Sequence, residues 1–179
     1  MARAKKRKKF FDVEISVINK KTQLQAYELE DLEKRIIKYD LTRLLRGKSI
    51  IIQLIVKVQG DKAIAVPKKI RIMPYFLRRM VRKGTNYVED SFSAECKNGK
   101  LKIKPFLITR RKVSRAVRNA LRNKAKEELI NYVKDKEYET LFEEILKNKI
   151  QRPLSLTLKK IYPLSFCDIR MFEVEKETE

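Results

Sequence analysis

The chain has 179 residues, 43% of them hydrophobic, which is enough to build a core in one domain or two small ones. Its 44 Lys and Arg outnumber 23 Asp and Glu, and a protein with the resulting net charge of +21 repels itself unless it meets a polyanionic partner. The absence of histidine excludes His-based catalysis and His metal ligands, and four scattered glycines exclude a phosphate-binding Gly-rich loop.

Residues 1–9 form a basic arm, because like charges at this density do not fold on their own. We predict that the arm becomes ordered on phosphates, and the alternative is a solvated tail without a function. Its six basic residues are Arg3, Lys5, Lys6, Arg7, Lys8 and Lys9.

The next segment is strand-like. Apolar and polar residues alternate over Phe11–Val17, which predicts a half-buried strand, and 23–29 predicts a weaker second strand. Apolar spacing of three and four residues over 31–45 favours a helix. The β-branched run 49–58 predicts a central strand that turns at Gly60-Asp61 into a partner strand over 63–66.

A short helix over Tyr75–Lys83 is predicted after Pro74, with Gly84 as its C-terminal cap. A hairpin follows, because Asn98-Gly99 lies between the runs 86–96 and 100–109 and favours a type I′ turn.

Beyond Arg110 the pattern becomes helical. We predict helices over 110–135 and 137–150, a short helix from Pro153 to Tyr162-Pro163, and a terminal strand over 166–174 followed by an acidic tail. Many strands followed by helices indicate an α+β fold, with a small antiparallel β-barrel or a strongly bent sheet. The predicted organisation is an arm (1–9), a barrel-like domain with one short helix (10–109), a helical region (110–164) and a terminal strand with its tail (165–179).

Positive charge is concentrated in two stretches that contain no acid, 68–83 and 97–126, whereas 127–144 holds seven acids. Such single-sign stretches are typical of nucleic-acid binders. With the arm, the predicted RNA-binding residues are Lys68, Lys69, Arg71, Arg78, Arg79, Arg82, Lys83, Arg110, Arg111, Lys112, Arg115, Arg118, Arg122 and Lys126.

The helix after Arg110 is predicted to carry a row of basic side chains on one face. Arg111, Arg115, Arg118, Arg122 and Lys126 fall within roughly 80° at about 100° per residue. We expect the opposite face, with Val113, Ala116, Val117 and Ala120, to pack on protein. Alternatives are a solvated face or an anionic membrane surface, and the small apolar residues argue against the membrane.

The rings in the basic stretches, Tyr75, Phe76, Phe92 and Phe106, are too sparse for a base-stacking platform, so most are expected in the core. The RNA is therefore expected to be read through its backbone and shape.

Catalysis is weakly supported, and no metal or cofactor is predicted. The densest acidic cluster, Glu28, Glu30 and Asp31, favours a turn or helix cap over a metal-dependent nuclease site. Cys96 and Cys167 form no CxxC pair and are expected to be reduced thiols. No apolar run is long enough for a bilayer, and the basic start lacks the apolar core of a secretory signal, so we expect a soluble intracellular protein.

The order of these segments resembles the archaeal and eukaryotic S3Ae family of small-subunit ribosomal proteins over about residues 9–174. The matching pieces are Phe10-Phe11-Asp12-Val13, Val58-Gln59-Gly60, the Asn98-Gly99 hairpin, Thr109-Arg110-Arg111-Lys112, Arg115-Ala116-Val117-Arg118, Ile161-Tyr162-Pro163-Leu164 and Ile169-Arg170.

The resemblance implies a β-barrel with an attached helical region. It also implies a ribosome-bound, cytoplasmic protein on the platform of the small subunit, near the mRNA exit and the 3′ end of the rRNA, beside other ribosomal proteins. The leading hypothesis is thus a non-catalytic constituent of the small subunit that binds rRNA phosphates. The alternatives are a free RNA-binding or chaperone factor and the nuclease.

Overall fold

The computed structural model describes residues 7–60 and 62–177, which form nine strands and four α-helices in an α+β arrangement. The strands are β1 Lys9–Ile15, β2 Lys20–Ala26, β3 Ile36–Asp40, β4 Ile50–Gln59, β5 Lys62–Ile72, β6 Tyr87–Glu89, β7 Phe92–Cys96, β8 Gly99–Thr109 and β9 Leu164–Glu177. The helices are α1 Pro74–Met80, α2 Arg115–Lys134, α3 Tyr138–Leu146 and α4 Gln151–Lys159, and a single 3-10 turn spans Glu30–Leu32.

Strand β5 is the branch point of the sheet. Along one edge it pairs antiparallel with β4, which also pairs with β3. Along its other edge, residues 63–65 pair in parallel with β1, and residues 69–71 pair antiparallel with β9. The register slips between Gln53 and Leu54 of β4, which leaves Lys68 as an extra residue on β5. A bulge of this kind bends the strand and increases its twist, so one edge can serve two neighbours.

The sheet does not close over the described residues. Its longest path runs β2-β1-β5-β9-β8-β6, and β3, β4 and β7 lie off that path. The α+β class is confirmed, but of the two predicted sheet forms the closed barrel is wrong. The physical reason is that β1 pairs with part of one edge of β5, and β2 continues the sheet on the other side of β1. Neither β2 nor β3 therefore pairs with β6 or β7, as closure would require.

The closing strand β9 lies inside the sheet, between β5 and β8. It pairs with β8 along almost its whole length, with three register shifts. That pairing continues the strand to Glu177, beyond the predicted end at Val174.

The helix predicted over 31–45 is wrong. The chain instead forms β3 between two turns, and the positive φ of Lys34 interrupts a helix within this segment. Its apolar spacing reflects separate buried positions at Leu32 and Leu41. The pairing of β3 with β4 therefore decides the structure of this segment, although the spacing of its apolar residues favours a helix.

The predicted hairpin forms, but its turn is displaced by one residue. Cys96 pairs with Gly99, so the turn residues are Lys97 and Asn98, and no residue of this turn has a positive φ. The type I′ assignment is therefore wrong. The Lys97 N–H donates to the Lys136 carbonyl at 3.3 Å, which ties this turn to the loop after α2. The first strand of the hairpin is also interrupted, between β6 and β7.

The core lies between the sheet and the helices. Helix α3 packs against β5, α4 against β9, and α2 against β6, β7 and α4. The apolar side chains of α3 face the core, since Tyr138, Leu141, Phe142 and Ile145 are buried. Phe142 meets Phe172 of β9 edge to face, with 5.0 Å between ring centroids. None of the helices within 7–60 and 62–177 combines the length and the apolar character needed to cross a bilayer.

Candidate nucleic-acid interface

One cleft brings together arginines from the two acid-free stretches. It has a volume of about 540 Å³ and lies between the end of α1 and the loop after β8. Arg82 enters it from the first stretch, and Arg110 and Arg111 enter from the second. None of the residues that line it is acidic, so we call it the arginine cleft. Its lining residues are Met80, Arg82, Thr85, Arg110, Arg111, Ser165 and Phe166.

Hydrogen bonds fix the loop that supplies two of these arginines. Thr109 is fully buried, and its hydroxyl lies 2.7 Å from the Arg111 carbonyl and 3.1 Å from the Asn86 N–H. The Asn86 side-chain oxygen accepts from the Val113 N–H at 2.8 Å. Neutral side chains thus set the path of residues 109–113, while the arginine side chains themselves stay exposed.

Helix α2 begins beside the arginine cleft. Ser114 caps it by accepting from the Val117 N–H at 3.5 Å, and its first turn contains no acid. Arg111, Lys112 and Arg115 are all exposed here. Because a helix N-terminus carries partial positive charge, these cations and the helix end together favour an anion at this place.

The predicted orientation of α2 is wrong in part. Its buried residues are Leu121, Ala125, Leu129 and Val133, whereas Ala116 and Ala120, which were expected to pack on protein, are exposed. The larger apolar side chains lie in the second half of the helix, and they decide which face docks. The basic row therefore flanks the packed face and does not lie opposite to it.

This orientation divides the predicted row of basic side chains. Arg115 and Lys126 are exposed, and Lys126 lies over the Phe92 ring at 5.9 Å. Arg122 is half-buried, and its Nε donates to the Glu89 carbonyl at 3.2 Å. Arg118 is half-buried, and its Nε is buried without a hydrogen-bond partner. Only part of the row is therefore presented directly to solvent.

A second cleft, of about 740 Å³, opens on the polar face of the sheet, and we call it the basic cleft. Arg71 of β5 and Lys104 of β8 both pair with Met171 of β9, so their side chains share one face. Lys69 lies two residues before Arg71 on the same face of β5, and its Nζ forms an ion pair with Glu173 Oε2 at 3.0 Å. The lining residues are Lys69, Arg71, Glu89, Asp90, Ser91, Lys104, Arg122, Arg170 and Met171.

The other predicted residues are spread over the surface. Lys68 lies at the bulge of β5, in a different cleft with Lys34 and Lys57. Arg78 and Arg79 are exposed on α1, where Arg79 lies 5.7 Å from the Phe76 ring centroid. Lys83 and Lys112 are exposed in loops.

The described part of the arm is exposed. Lys8 lies 5.6 Å from the Tyr27 ring centroid, and Lys9 already belongs to β1. Arg3, Lys5 and Lys6 lie outside the described residues.

Lys104 and Arg170 line the basic cleft and Tyr87 lines a third one, but none of them was among the residues predicted from the sequence. Lys104 lies in an acid-free stretch, and that was a usable signal. Arg170 is separated from the other basic residues in sequence, and only the pairing of β9 with β5 and β8 brings it to them. Tyr87 lies between the two basic stretches, and it is 55% exposed. Of the rings considered from sequence, Phe76, Phe92 and Phe106 are buried as expected, but Tyr75 is exposed.

The acidic cluster behaves as a turn. Asp31 accepts from the Glu28 N–H at 3.2 Å, which confirms its predicted turn role. Throughout the described residues, no three His, Cys, Asp or Glu side chains are grouped as a metal site would require.

The two cysteines are unpaired thiols. Burial and the neighbouring Asp168 carboxylate raise the pKa of Cys167 to about 12, so its thiol is protonated and inert at neutral pH.

Comparisons with known proteins agree with the sequence resemblance. The chain is 28% identical over 178 residues to the small ribosomal subunit protein eS1 of Nanoarchaeum equitans, which covers 95% of this chain and 90% of that protein. It is 25% identical over 165 residues to the eS1 protein of Pyrobaculum arsenaticum, with 88% and 75% covered. A 103-residue match to the eS1 protein of Methanothermobacter thermautotrophicus is 34% identical, with 57% and 53% covered. The model of the Ribosomal S3Ae family matches residues 3–178, so the chain belongs to the Ribosomal S3Ae family.

Proposed function

We propose that this protein is a structural, non-catalytic constituent of the small ribosomal subunit that binds rRNA through phosphate contacts. The observation that carries the proposal is the arginine cleft, where Arg82, Arg110 and Arg111 converge without a lining carboxylate. Guanidinium groups match phosphate oxygens two at a time, and an internal ion pair would normally accompany them if they served stability alone.

The names of the archaeal relatives, which are small ribosomal subunit proteins, support the same assembly. Its partners are then the small-subunit rRNA and neighbouring ribosomal proteins, and the protein is ribosome-bound in the cytoplasm. The family resemblance supports a finer placement on the platform, near the mRNA exit, where mRNA is a further partner.

Binding is driven mainly by counterion release. The described arm residues Arg7, Lys8 and Lys9, the arginine cleft and the first turn of α2 each offer exposed cations. If about eight phosphates are neutralised, the logarithm of the binding constant falls with the logarithm of salt concentration at a slope of roughly −7. Affinity is then strongly salt-dependent and only weakly dependent on base sequence.

Sedimentation tests the assembly. The tagged full-length protein, produced in cells that carry ribosomes of this type, is expected to sediment with small subunits and to remain there through a wash of moderate salt. Recovery of the protein only in the ribosome-free fraction would overturn the proposal in favour of a free RNA-binding or chaperone factor. Purified protein incubated with labelled rRNA and magnesium should leave the RNA intact, because a non-catalytic constituent cleaves nothing.

A further inference from the structure

A third cleft, of about 390 Å³, lies between α1 and the edge strand β6, and its walls are partly aromatic. Tyr87 stacks on Phe106 nearly in parallel, with 5.9 Å between ring centroids and 16° between ring planes. At this distance the two rings are offset, so Phe106 contacts the Tyr87 ring only in part, and Tyr87 remains 55% exposed. We call this cavity the aromatic cleft, and its lining residues are Pro74, Leu77, Arg78, Val81, Tyr87, Glu89, Phe106 and Arg170.

This aromatic cleft adjoins the basic cleft. Glu89 and Arg170 line both of them, so the two cavities share one wall. On the far side of that wall lie Arg71 and Lys104, neither of which has a carboxylate partner among the described residues. A flat apolar surface and a group of free cations are thus separated by a single ion pair.

We propose that the aromatic cleft binds one unpaired RNA base, which stacks on Tyr87, while the phosphates beside that base occupy the basic cleft. The proposal rests on the proposed RNA-binding function and adds a base-binding site to it. The cavity falls within the size range of small-molecule sites, which combine apolar walls with a few convergent polar groups. Stacking on an aromatic side chain contributes about 1–3 kcal/mol per base.

The shared wall supplies polar groups for the edge of the base. Arg170 Nη1 lies 2.7 Å from Glu89 Oε2, and both side chains are about one-third exposed. That contact leaves a second carboxylate oxygen as an acceptor and further guanidinium N–H groups as donors. A base edge with adjacent N–H and acceptor groups fits this pair, and each of the four RNA bases has such an edge.

The test uses the full-length protein and two RNA hairpins that differ only in one bulged 2-aminopurine nucleotide. The wild-type protein is expected to bind the bulged hairpin roughly tenfold more tightly than the fully paired hairpin, in line with one stacked base. Its binding should also quench the fluorescence of the 2-aminopurine. Tyr87→Ala should abolish both the tighter binding of the bulged hairpin and the quenching of 2-aminopurine on binding. Tyr87→Phe should keep both because the aromatic ring remains.

Tyr75→Ala is the matched control, since Tyr75 is similarly exposed on α1 but does not line the cleft. It should behave as the wild type does. Thermal unfolding and circular dichroism check that Tyr87→Ala is folded, and the wild-type quenching supplies a readout that needs no variant. Binding of both hairpins with equal affinity by the wild type, or an unchanged preference in Tyr87→Ala, would overturn the base site while leaving the phosphate-binding proposal intact. Failure of the wild type to bind either hairpin would overturn both.

Discussion

Lys48 and Asp168 form a nearly buried ion pair that joins the turn before β4 to the middle of β9. Their side chains are 16% and 5% exposed, respectively. Lys48 also donates to the Asn148 side-chain oxygen at 3.1 Å, and Asp168 accepts from Gln151 Nε2 at 3.2 Å and from the Ile169 N–H at 2.8 Å. This network connects the first half of the sheet to the helices α3 and α4.

Asp168→Asn is expected to lower the free energy of unfolding by about 3 kcal/mol, because it leaves the Lys48 ammonium group almost buried without its counter-charge. Urea denaturation measures the change. Lys147→Met breaks the exposed pair with Glu143 and is the control, with an expected change below about 0.5 kcal/mol. Equal effects from the two variants would contradict the importance of burial at Asp168.

Arg118→Met is expected to raise the free energy of unfolding by about 1 kcal/mol, because it removes a buried Nε that has no hydrogen-bond partner. Methionine keeps the packing of the aliphatic stem. The exposed Arg115→Met is the matched control and should change stability by less than about 0.5 kcal/mol. A loss of stability in Arg118→Met would show that this side chain is satisfied in the free protein.

Arg111→Glu combined with Arg115→Glu is expected to make the salt dependence of RNA binding shallower by about 2 in slope, because two phosphate contacts are lost. Both side chains are exposed, so folding should be unchanged. Filter binding over a range of salt concentrations measures the slope.

The control for that pair is Arg152→Glu with Lys160→Glu, which makes the same change of net charge on the exposed surface around α4. It should alter the slope much less. If both double variants reduce the slope equally, total charge governs binding and the arginine cleft has no special part in it.

Cys167 is expected to react slowly with iodoacetamide in the folded protein. With a pKa of about 12, only about one thiol in ten thousand is ionised at pH 8, and the alkylation rate should rise about tenfold per pH unit up to pH 11. The Cys96→Ser variant isolates the signal of Cys167. The same variant unfolded in urea should react at the rate of an ordinary thiol, and a rate in the folded protein that levels off near pH 9 would refute the raised pKa.

Strand β4 and the apolar face of α3 could be predicted because their signals are local, whereas only residues 63–66 of β5 were predicted and the strand extends over Lys62–Ile72. Val56 is buried and Ile55 half-buried within β4, as alternation requires. Residues 31–45 could not be predicted correctly, since Leu32 and Leu41 show helical spacing but are buried in separate turns. Only the long-range pairing of Ile37 with Leu54 distinguishes the strand from a helix.

The charge of the site could be read from the sequence, but its geometry could not. The acid-free stretches predicted that Arg82, Arg110 and Arg111 contact an anion, and the fold places them in one cleft. Nothing local indicates that Arg170 would meet Glu89, because they lie 81 residues apart. The face of α2 was misjudged because it was predicted from the first half of the helix, with Ala116 and Ala120, whereas Leu121 and Leu129 bury far more apolar surface and decide which face docks.

The interior position of β9 has a consequence for biosynthesis. Of the described elements, this strand leaves the translating ribosome last, yet it supplies the hydrogen-bonding partner for both β5 and β8. Until it emerges, those two strands have open edges on a nascent chain that is already strongly cationic, which is the state most exposed to misassembly. The sheet therefore cannot be completed until β9 has emerged, because β5 and β8 lack this hydrogen-bonding partner before then.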